Sequence, residues 1–449
     1  MDLLRPVLRP YPWGTCTAIA DLQGRPVPAP GPEAELWMGA HPSAPSGIDR
    51  DPGTGTTLDA VIAAAPGREL GAECAARFSG RLPFLLKVLS AEKALSIQVH
   101  PSRAQAEAGF AAEDARGLPL GAPGRNYVDD WPKPELLYAL TPFEVAAGLR
   151  TPADAAAILR ALAVDQLQPL IAALRDAADE DVMGAALASV LEWPEPGRAG
   201  LVAAVAAACA RLAACGAAQG EPYADACAAA ARVAADYPGD LGVLALLLMR
   251  YQVLQPGQAV FMPAGGLHAY LRGTGIELLA NSDNVVRSGL TSKHIDVPEL
   301  LKLLDPSASV PVLSPGVLAD GITWFDTPAP EFRLYLLDLP GNSAALPAVS
   351  PQSALPGAAS ESPLPAAGPE SALPGTGPES ALPGTGPVLA LPGVGPRILL
   401  CLDGACVLRA ASGETLGLNR GDSCFVSAAD GLVHATGSAR LVLAAPGTP

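Results

Sequence analysis

The sequence predicts a mainly β protein with an α-helical insertion, and three observations carry that reading. Short apolar runs of strand length, set among Gly, Pro and aromatic residues, fill residues 1–149. Between Thr151 and about Gly239 the chain becomes alanine-rich, with apolar residues three and four apart. From Tyr251 glycines and strand-like runs return, and β texture dominates after Pro311. The expected parts are residues 1–149 plus 251–310, a helical insertion at 150–250, and a C-terminal region at 311–449.

Taken in order, Leu82 to Leu89 and Ala94 to Val99 are the first strands. Thr151-Pro152-Ala153-Asp154 has the form of a helix start, a capping residue followed by Pro in the first turn. Phe261 to Tyr270 is a strand, a Pro/Gly turn and a second strand. Val297 to Leu304 has the spacing of a short helix. Arg397 to Ala444 resolves into short strands with glycine turns at Asp403-Gly404 and Gly421-Asp422. Between about Ala344 and Gly395, Gly-Pro-Glu-Ser-Ala-Leu-Pro-Gly-Thr occurs at 368–376 and again at 377–385. Without glycine at every third position this is not collagen, and without aromatic residues it has little to bury. It is expected to be a flexible, partly polyproline-like loop between two strands.

With 449 residues, 49% apolar and only 16% charged, the chain has ample material for packed cores. A net charge of −16 gives no general attraction for nucleic acid or anionic lipid, so an anionic ligand needs cations gathered locally. Of 29 basic residues only Lys87, Lys93, Lys133, Lys293 and Lys302 are lysines. Abundant Ala, Gly and Pro suggest a GC-rich genome that writes Arg by default, which makes the surviving ammonium groups candidates for a specific role. The eight cysteines form no CxxC pair and read as reduced, mostly buried thiols; Cys209, Cys215 and Cys227 are expected in the core of the helices. Arg and Pro in MDLLRPVLRPYPWG break the apolar stretch a signal peptide needs. The apolar runs, such as Leu201 to Ala210, fall short of the roughly 20 residues of a membrane span. A cytoplasmic monomer is expected.

Chemistry concentrates in three segments. In Ser96-Ile97-Gln98-Val99-His100 the period of two puts Ser96, Gln98 and His100 on one strand face, successive ones about 7 Å apart. Two prolines hold Lys133 extended, which sets Lys133 and Glu135 on the same side. His268 and Tyr270 again share a strand face, followed by Glu277 and the dense polar run Asn281 to Lys293 with Arg287 inside it. Gln98, His100, Glu135 and His268 together offer two imidazoles, a carboxylate and an amide oxygen, a set that suits Zn²⁺ and equally accommodates Fe²⁺, Mn²⁺ or Co²⁺.

The runs LLKVLSAEKALSIQVHPS, KPELLYAL, FMPAGGLHAYLRGTGIELLANSDNVVRSGLTSKHID and AELWMGAHPSAPS closely resemble the signatures of the type I mannose-6-phosphate isomerases, here in a bacterial, actinobacterial-like form. That resemblance covers residues 10–150 and 250–300 well. It implies a cupin-type β-sandwich or jelly-roll core, an inserted helical domain and a second cupin-like domain. It also implies interconversion of mannose 6-phosphate and fructose 6-phosphate through a cis-enediol. It assigns one Zn²⁺ per chain to Gln98, His100, Glu135 and His268 and makes Arg287 the catalytic arginine. Lys87, Ser96, Lys133, Tyr270, Glu277 and Lys293 fall on positions around the sugar phosphate, with Ser96, Lys87, Lys293 and Arg287 suited to its phosphate and Glu277 or Lys133 to the proton transfer. Three departures stand out: Pro132 where the family usually has His, Gly266 where Asn is common, and the nine-residue repeat.

Two other classes compete. An Fe²⁺ oxygenase also uses two histidines and a carboxylate, but a nonpolar substrate has no need of Lys133 and Arg287. A non-catalytic sugar-phosphate binder is disfavoured by a full ligand set beside Arg287. His434 stands alone, and His41 and His294 are expected as hydrogen-bonded supports.

Overall fold

The computed structural model describes residues 1–50, 55–176, 181–216, 222–339 and 388–447. The nine-residue repeats at 368–385 lie outside the described residues; of the flanking segment, Leu389–Ala390 is a short strand paired to Val433–Ala445.

Two antiparallel sheets organise the chain. One runs, strand by strand, through Val312–Leu313, Ala259–Met262, Glu135–Ala139, His268–Ala280, Phe84–Ala91, Glu35–Gly39 and Val7–Arg9. The strand His268–Ala280 is the hinge of the architecture. Its second half pairs with Phe84–Ala91 and Glu135–Ala139, whereas its first half pairs with Ile97–Val99 and Phe143–Leu149. The change of partners follows a register shift between Tyr270 and Arg272 and the left-handed backbone of Gly273, φ +136°. A Cβ there would lie 2.7 Å from the Phe143 ring, so only glycine allows the bend. One strand thus supplies side chains to two layers, and the space between those layers becomes available for a site.

The other sheet gathers the C-terminal strands, with Arg397–Ala410 and Val433–Ala445 paired along most of their length. Asp2–Arg5 and Gly47–Ile48 complete its edge, Asp2 lying opposite Phe425, so the N-terminal strand belongs to this sheet. Asp403-Gly404 is not a turn, as the sequence suggests, but a bulge within one 14-residue strand. Leu86, Val88, Leu136 and Ile276 of the first sheet pack with Leu336, Ile398, Phe425 and Val442 of the second in a shared core.

Between Phe143–Leu149 and Met249–Leu254 the chain is helical, from Pro152–Ala161 to Gly242–Leu248, and the expected short helix is Val297–Leu303. Thr151 caps the first of these helices through Asp154 N–H, as its sequence indicates. The helix Arg198–Gly216 exceeds the apolar runs read from sequence: by length and composition it could cross a membrane. Its Leu201, Val202, Val205 and Cys209 are buried in the core shared with Cys227 of Ala224–Asp236; Cys215, expected inside, is exposed. The first 149 residues also hold helices that β texture did not suggest, among them Leu58–Ala64, Ala72–Arg77 and Arg103–Ala115. The last is started by a Ser102/Gln105 capping box.

Candidate metal centre and substrate cavity

A cavity of about 580 Å³ opens where the two layers sharing His268–Ala280 meet the loop 290–293. Strand register builds its floor. Glu277, Lys87 and Trp37 stand directly opposite one another across three neighbouring strands, so their side chains share a face. Glu135 lies two residues before Leu137, which is opposite Glu277, and period two brings it to that face as well. From the other layer, Gln98 is opposite both His268 and Arg287 on its two flanking strands.

His100, Glu135 and His268 converge in the buried interior with their donor atoms within 4.8 Å of one another. His100 Nε2 lies 3.2 Å from one oxygen of Glu135, and His268 Nε2 lies 3.3 Å from the other. The opposite ring nitrogens are engaged: His100 Nδ1 donates to the Asn284 carbonyl at 2.8 Å and His268 Nδ1 to the Gly266 carbonyl at 2.9 Å. Those bonds fix the tautomer and leave each Nε2 as a lone-pair donor. Both Nε2 atoms are buried without a hydrogen-bond partner, a costly state for isolated imidazoles that a cation at this point resolves. Burial, ahead of Lys133 and His268, pushes His100 down to about 4, so its imidazole is neutral at physiological pH. Burial acts to raise Glu135, but His100, His268 and Lys133 together hold it well below the usual carboxylate range. Two imidazoles and an anionic carboxylate fit a divalent metal such as zinc.

Asn284 explains much of the polar run after residue 280. Its side chain accepts from the Val128 and Asp129 N–H groups and donates to the Asp129 and Trp131 carbonyls. Through its own carbonyl, which His100 meets, Asn284 ties the end of the strand Ile97–Val99 to the loop leading to Glu135.

Four of the five lysines, Lys87, Lys93, Lys133 and Lys293, line this one cavity; Lys302 pairs with Glu299 outside it. They are not equivalent. Lys87 Nζ donates to Glu277 at 2.9 Å, lies 3.5 Å from Glu35 and sits 4.8 Å from the Trp37 ring centre. Burial opposes its charge, but the two carboxylates keep the ammonium protonated. Lys133 Nζ is 3.6 Å from Glu135, as the extended Pro-Lys-Pro segment implies. Arg287 and Lys293, by contrast, make no side-chain hydrogen bond or ion pair among the described residues, although Arg287 is half-buried. Glu277 is pushed up to about 7 by burial and by Glu135 and Glu35, against the pull of Lys87.

The remaining expectations sort themselves by geometry. Ser96 and Gln98 line the cavity. Tyr270 does not reach it: the ring is buried behind the site, and its hydroxyl donates to Glu135 Oε2 at 3.3 Å. His41 is held by Ser43, whose N–H and hydroxyl both reach Nδ1, and it also lines the cavity, with Nε2 3.4 Å from Asp283. His294 is exposed. Glu35 and Trp37 belong to the AELWMGAHPSAPS run but have no site role assigned from sequence, although they sit at period two in a strand beside Lys87. Sequence reasoning passed over Asp236 and Tyr237, which reach the cavity from the end of an alanine-rich helix.

The family model for the phosphomannose isomerase type I catalytic domain matches residues 1–152. The chain is 35% identical over 434 residues to the mannose-6-phosphate isomerase of Salmonella typhimurium, covering 96% of each chain. It is 40% identical over 291 residues to the Escherichia coli protein of that name, covering 65% of this chain and 71% of that one. It also superposes on the crystal structure of the Salmonella typhimurium enzyme bound to fructose 6-phosphate and zinc, with a TM-score of 0.79, 32% identity and complete coverage of both chains.

Proposed function

The chain belongs to the type I mannose-6-phosphate isomerases, and from that premise we infer that its cavity holds one zinc ion on Gln98, His100, Glu135 and His268. It is a zinc-dependent isomerase that interconverts mannose 6-phosphate and fructose 6-phosphate. The observation that carries the site assignment is the division of labour among the cavity's cations. Lys87 and Lys133 are neutralised by carboxylates, while Arg287 and Lys293 stand free among the described residues to meet the substrate's charge.

Moving a proton between C2 and C1 passes through a cis-enediol and builds negative charge on the sugar oxygens. Zinc, when bound, supplies Lewis-acid stabilisation of that charge. Arg287 adds a fixed guanidinium that keeps its proton throughout. Lys293 and Ser96, at the cavity wall, receive the phosphate, whose binding energy holds the reacting carbons in place. Tyr270 and Asn284 hold the ligand carboxylate and one imidazole in position. Glu277 is the group best suited to carry the proton, since burial has brought it near neutrality, and Lys87 steadies its anion at 2.9 Å. Lys133 is the second candidate. Pro132 has no titratable group, so no histidine at that position takes part.

The architecture assigned with this function is a cupin-type jelly-roll core from residues 1–149 and 251–310, a helical insertion at 150–250 and a cupin-like C-terminal region at 311–449. That last region borrows the strands Asp2–Arg5 and Gly47–Ile48. A cytoplasmic monomer is proposed with it.

The direct test follows fructose 6-phosphate appearing from mannose 6-phosphate, with metal-replete protein beside a chelator-treated sample. Turnover restored only by metal is expected; equal rates in both samples would overturn the metal's role. With Glu277 as base, kcat/KM should fall as the pH drops through about 7, because protonation removes the base. The charge of the bound metal moves that limb lower, not higher. An acid limb that persists unchanged in Glu277→Gln would exclude the residue.

A further inference from the structure

The helical segment touches the cavity at one elbow, residues 236–242, where Ala224–Asp236 ends and Gly242–Leu248 begins. On one side the elbow holds the loop that leads to Ser96. Tyr237 Oη donates to the Ala94 carbonyl at 2.6 Å, and Asp236 pairs with Lys93 at 3.2 Å. On the other side it holds the loop that leads to Lys293. Asp240 Oδ2 accepts the Thr291 N–H at 3.3 Å while its Oδ1 accepts the Gly242 N–H at 2.7 Å.

Backbone contact reinforces the second grip. A Cβ on Gly289 would lie 2.7 Å from Gly242 Cα, and one on Gly242 would lie 2.8 Å from Leu290 N. Leu290 itself adopts φ +56°, a conformation L-residues enter at a cost and keep only where their surroundings enforce it. A strained residue, two abutting glycines and a doubly accepting aspartate thus occur together just ahead of Lys293. Ser96 and Lys293 come from distant parts of the chain, and the elbow is bonded to both loops.

We propose that residues 236–242 are a positioning element that sets the spacing of Ser96 and Lys293, so that Tyr237 and Asp240 govern affinity for the substrate's phosphate without touching the reacting carbons. The proposal rests on the reading of Ser96 and Lys293 as phosphate contacts. It gives the helical segment a part in the reaction: the spacing of the phosphate contacts is held from outside the sheets that carry the metal ligands.

Two variants separate this from a merely structural role. Tyr237→Phe removes one donor at constant shape. Asp240→Asn leaves one acceptor where two N–H groups need one each. For each, KM for mannose 6-phosphate should rise roughly three- to tenfold, as expected for one lost hydrogen bond. The inhibition constant of inorganic phosphate as a competitor should rise by the same factor. Over the same comparison kcat should stay within about twofold, zinc should remain at one per chain and the thermal melt should stay cooperative. An unchanged phosphate inhibition constant in either folded, zinc-loaded variant would overturn the proposal, as would a fall in kcat at constant KM. The underlying reading fails separately and earlier, if phosphate does not compete with substrate in the unaltered enzyme. Tyr237→Phe is nearly isosteric, so it keeps the test open should Asp240→Asn not fold.

Discussion

Arg287→Ala is expected to lower kcat by two to three orders of magnitude while zinc content stays at one per chain. The size follows from the role proposed for the guanidinium, because removing one preorganised donor from developing negative charge costs roughly 10²–10³ in rate. The site supports that scale because Arg287 is half-buried, stands opposite Gln98 and makes no ion pair among the described residues. Its charge is therefore not already spent on a protein carboxylate. Burial lowers its pKa from the ordinary arginine value, yet a guanidinium has no proton to lose in the working range. Arg287→Lys should recover only part of the loss, since an ammonium offers a point charge where a planar fork was used. Activity within tenfold of wild type in the alanine variant would remove Arg287 from the mechanism. Loss of zinc together with activity would show that its role is structural.

His268→Ala should abolish zinc binding and turnover together. The ring is one of two imidazoles at the site, is held by the Gly266 carbonyl and points a partnerless Nε2 at Glu135. Without it the remaining donors form too small a set for tight binding. Thermal unfolding gives a readout independent of catalysis. A ligand that binds only the folded state raises its stability, so the wild type should melt at lower temperature after chelation and the variant should melt identically with and without chelator. An active His268→Ala protein, or one whose melt still responds to zinc, would overturn the ligand assignment.

Much of this site is legible in the sequence because its chemistry is local along the chain. Alternation sets Gln98 and His100 on one strand face, the flanking prolines set Lys133 and Glu135 on one side, and a strand after a Pro/Gly turn carries His268, though each pattern alone also fits a solvated face or a surface ion pair. The scarcity of lysine points to the cavity from composition alone, and four of the five do line it. What stays hidden is what depends on pairing between distant segments. Glu35 joins Lys87 only through the register that sets Trp37 opposite Lys87. Tyr270 shares a strand face with His268, but its buried ring meets Glu135, which comes from a neighbouring strand. Asp240 reaches Thr291 across 51 positions, and nothing in an alanine-rich helix end announces that contact. The helices before residue 149 escape notice for another reason: they are mostly short, and short alanine-containing stretches carry too few apolar positions to show a period.

The near-monopoly of the cavity on lysine also changes how the protein answers chemical modification. Amine-directed acylation of an ordinary protein scatters over its surface, but here the accessible ε-amino groups are few. Lys93 and Lys293 sit at the cavity, and Lys302 lies apart, paired to Glu299. Lys87 and Lys133 are buried and bonded to carboxylates, which withholds the free amine such reagents need. Of the three exposed ε-amino groups two, Lys93 and Lys293, stand at the mouth of the cavity, so acylation that merely decorates most enzymes would on this chain fall largely at that mouth.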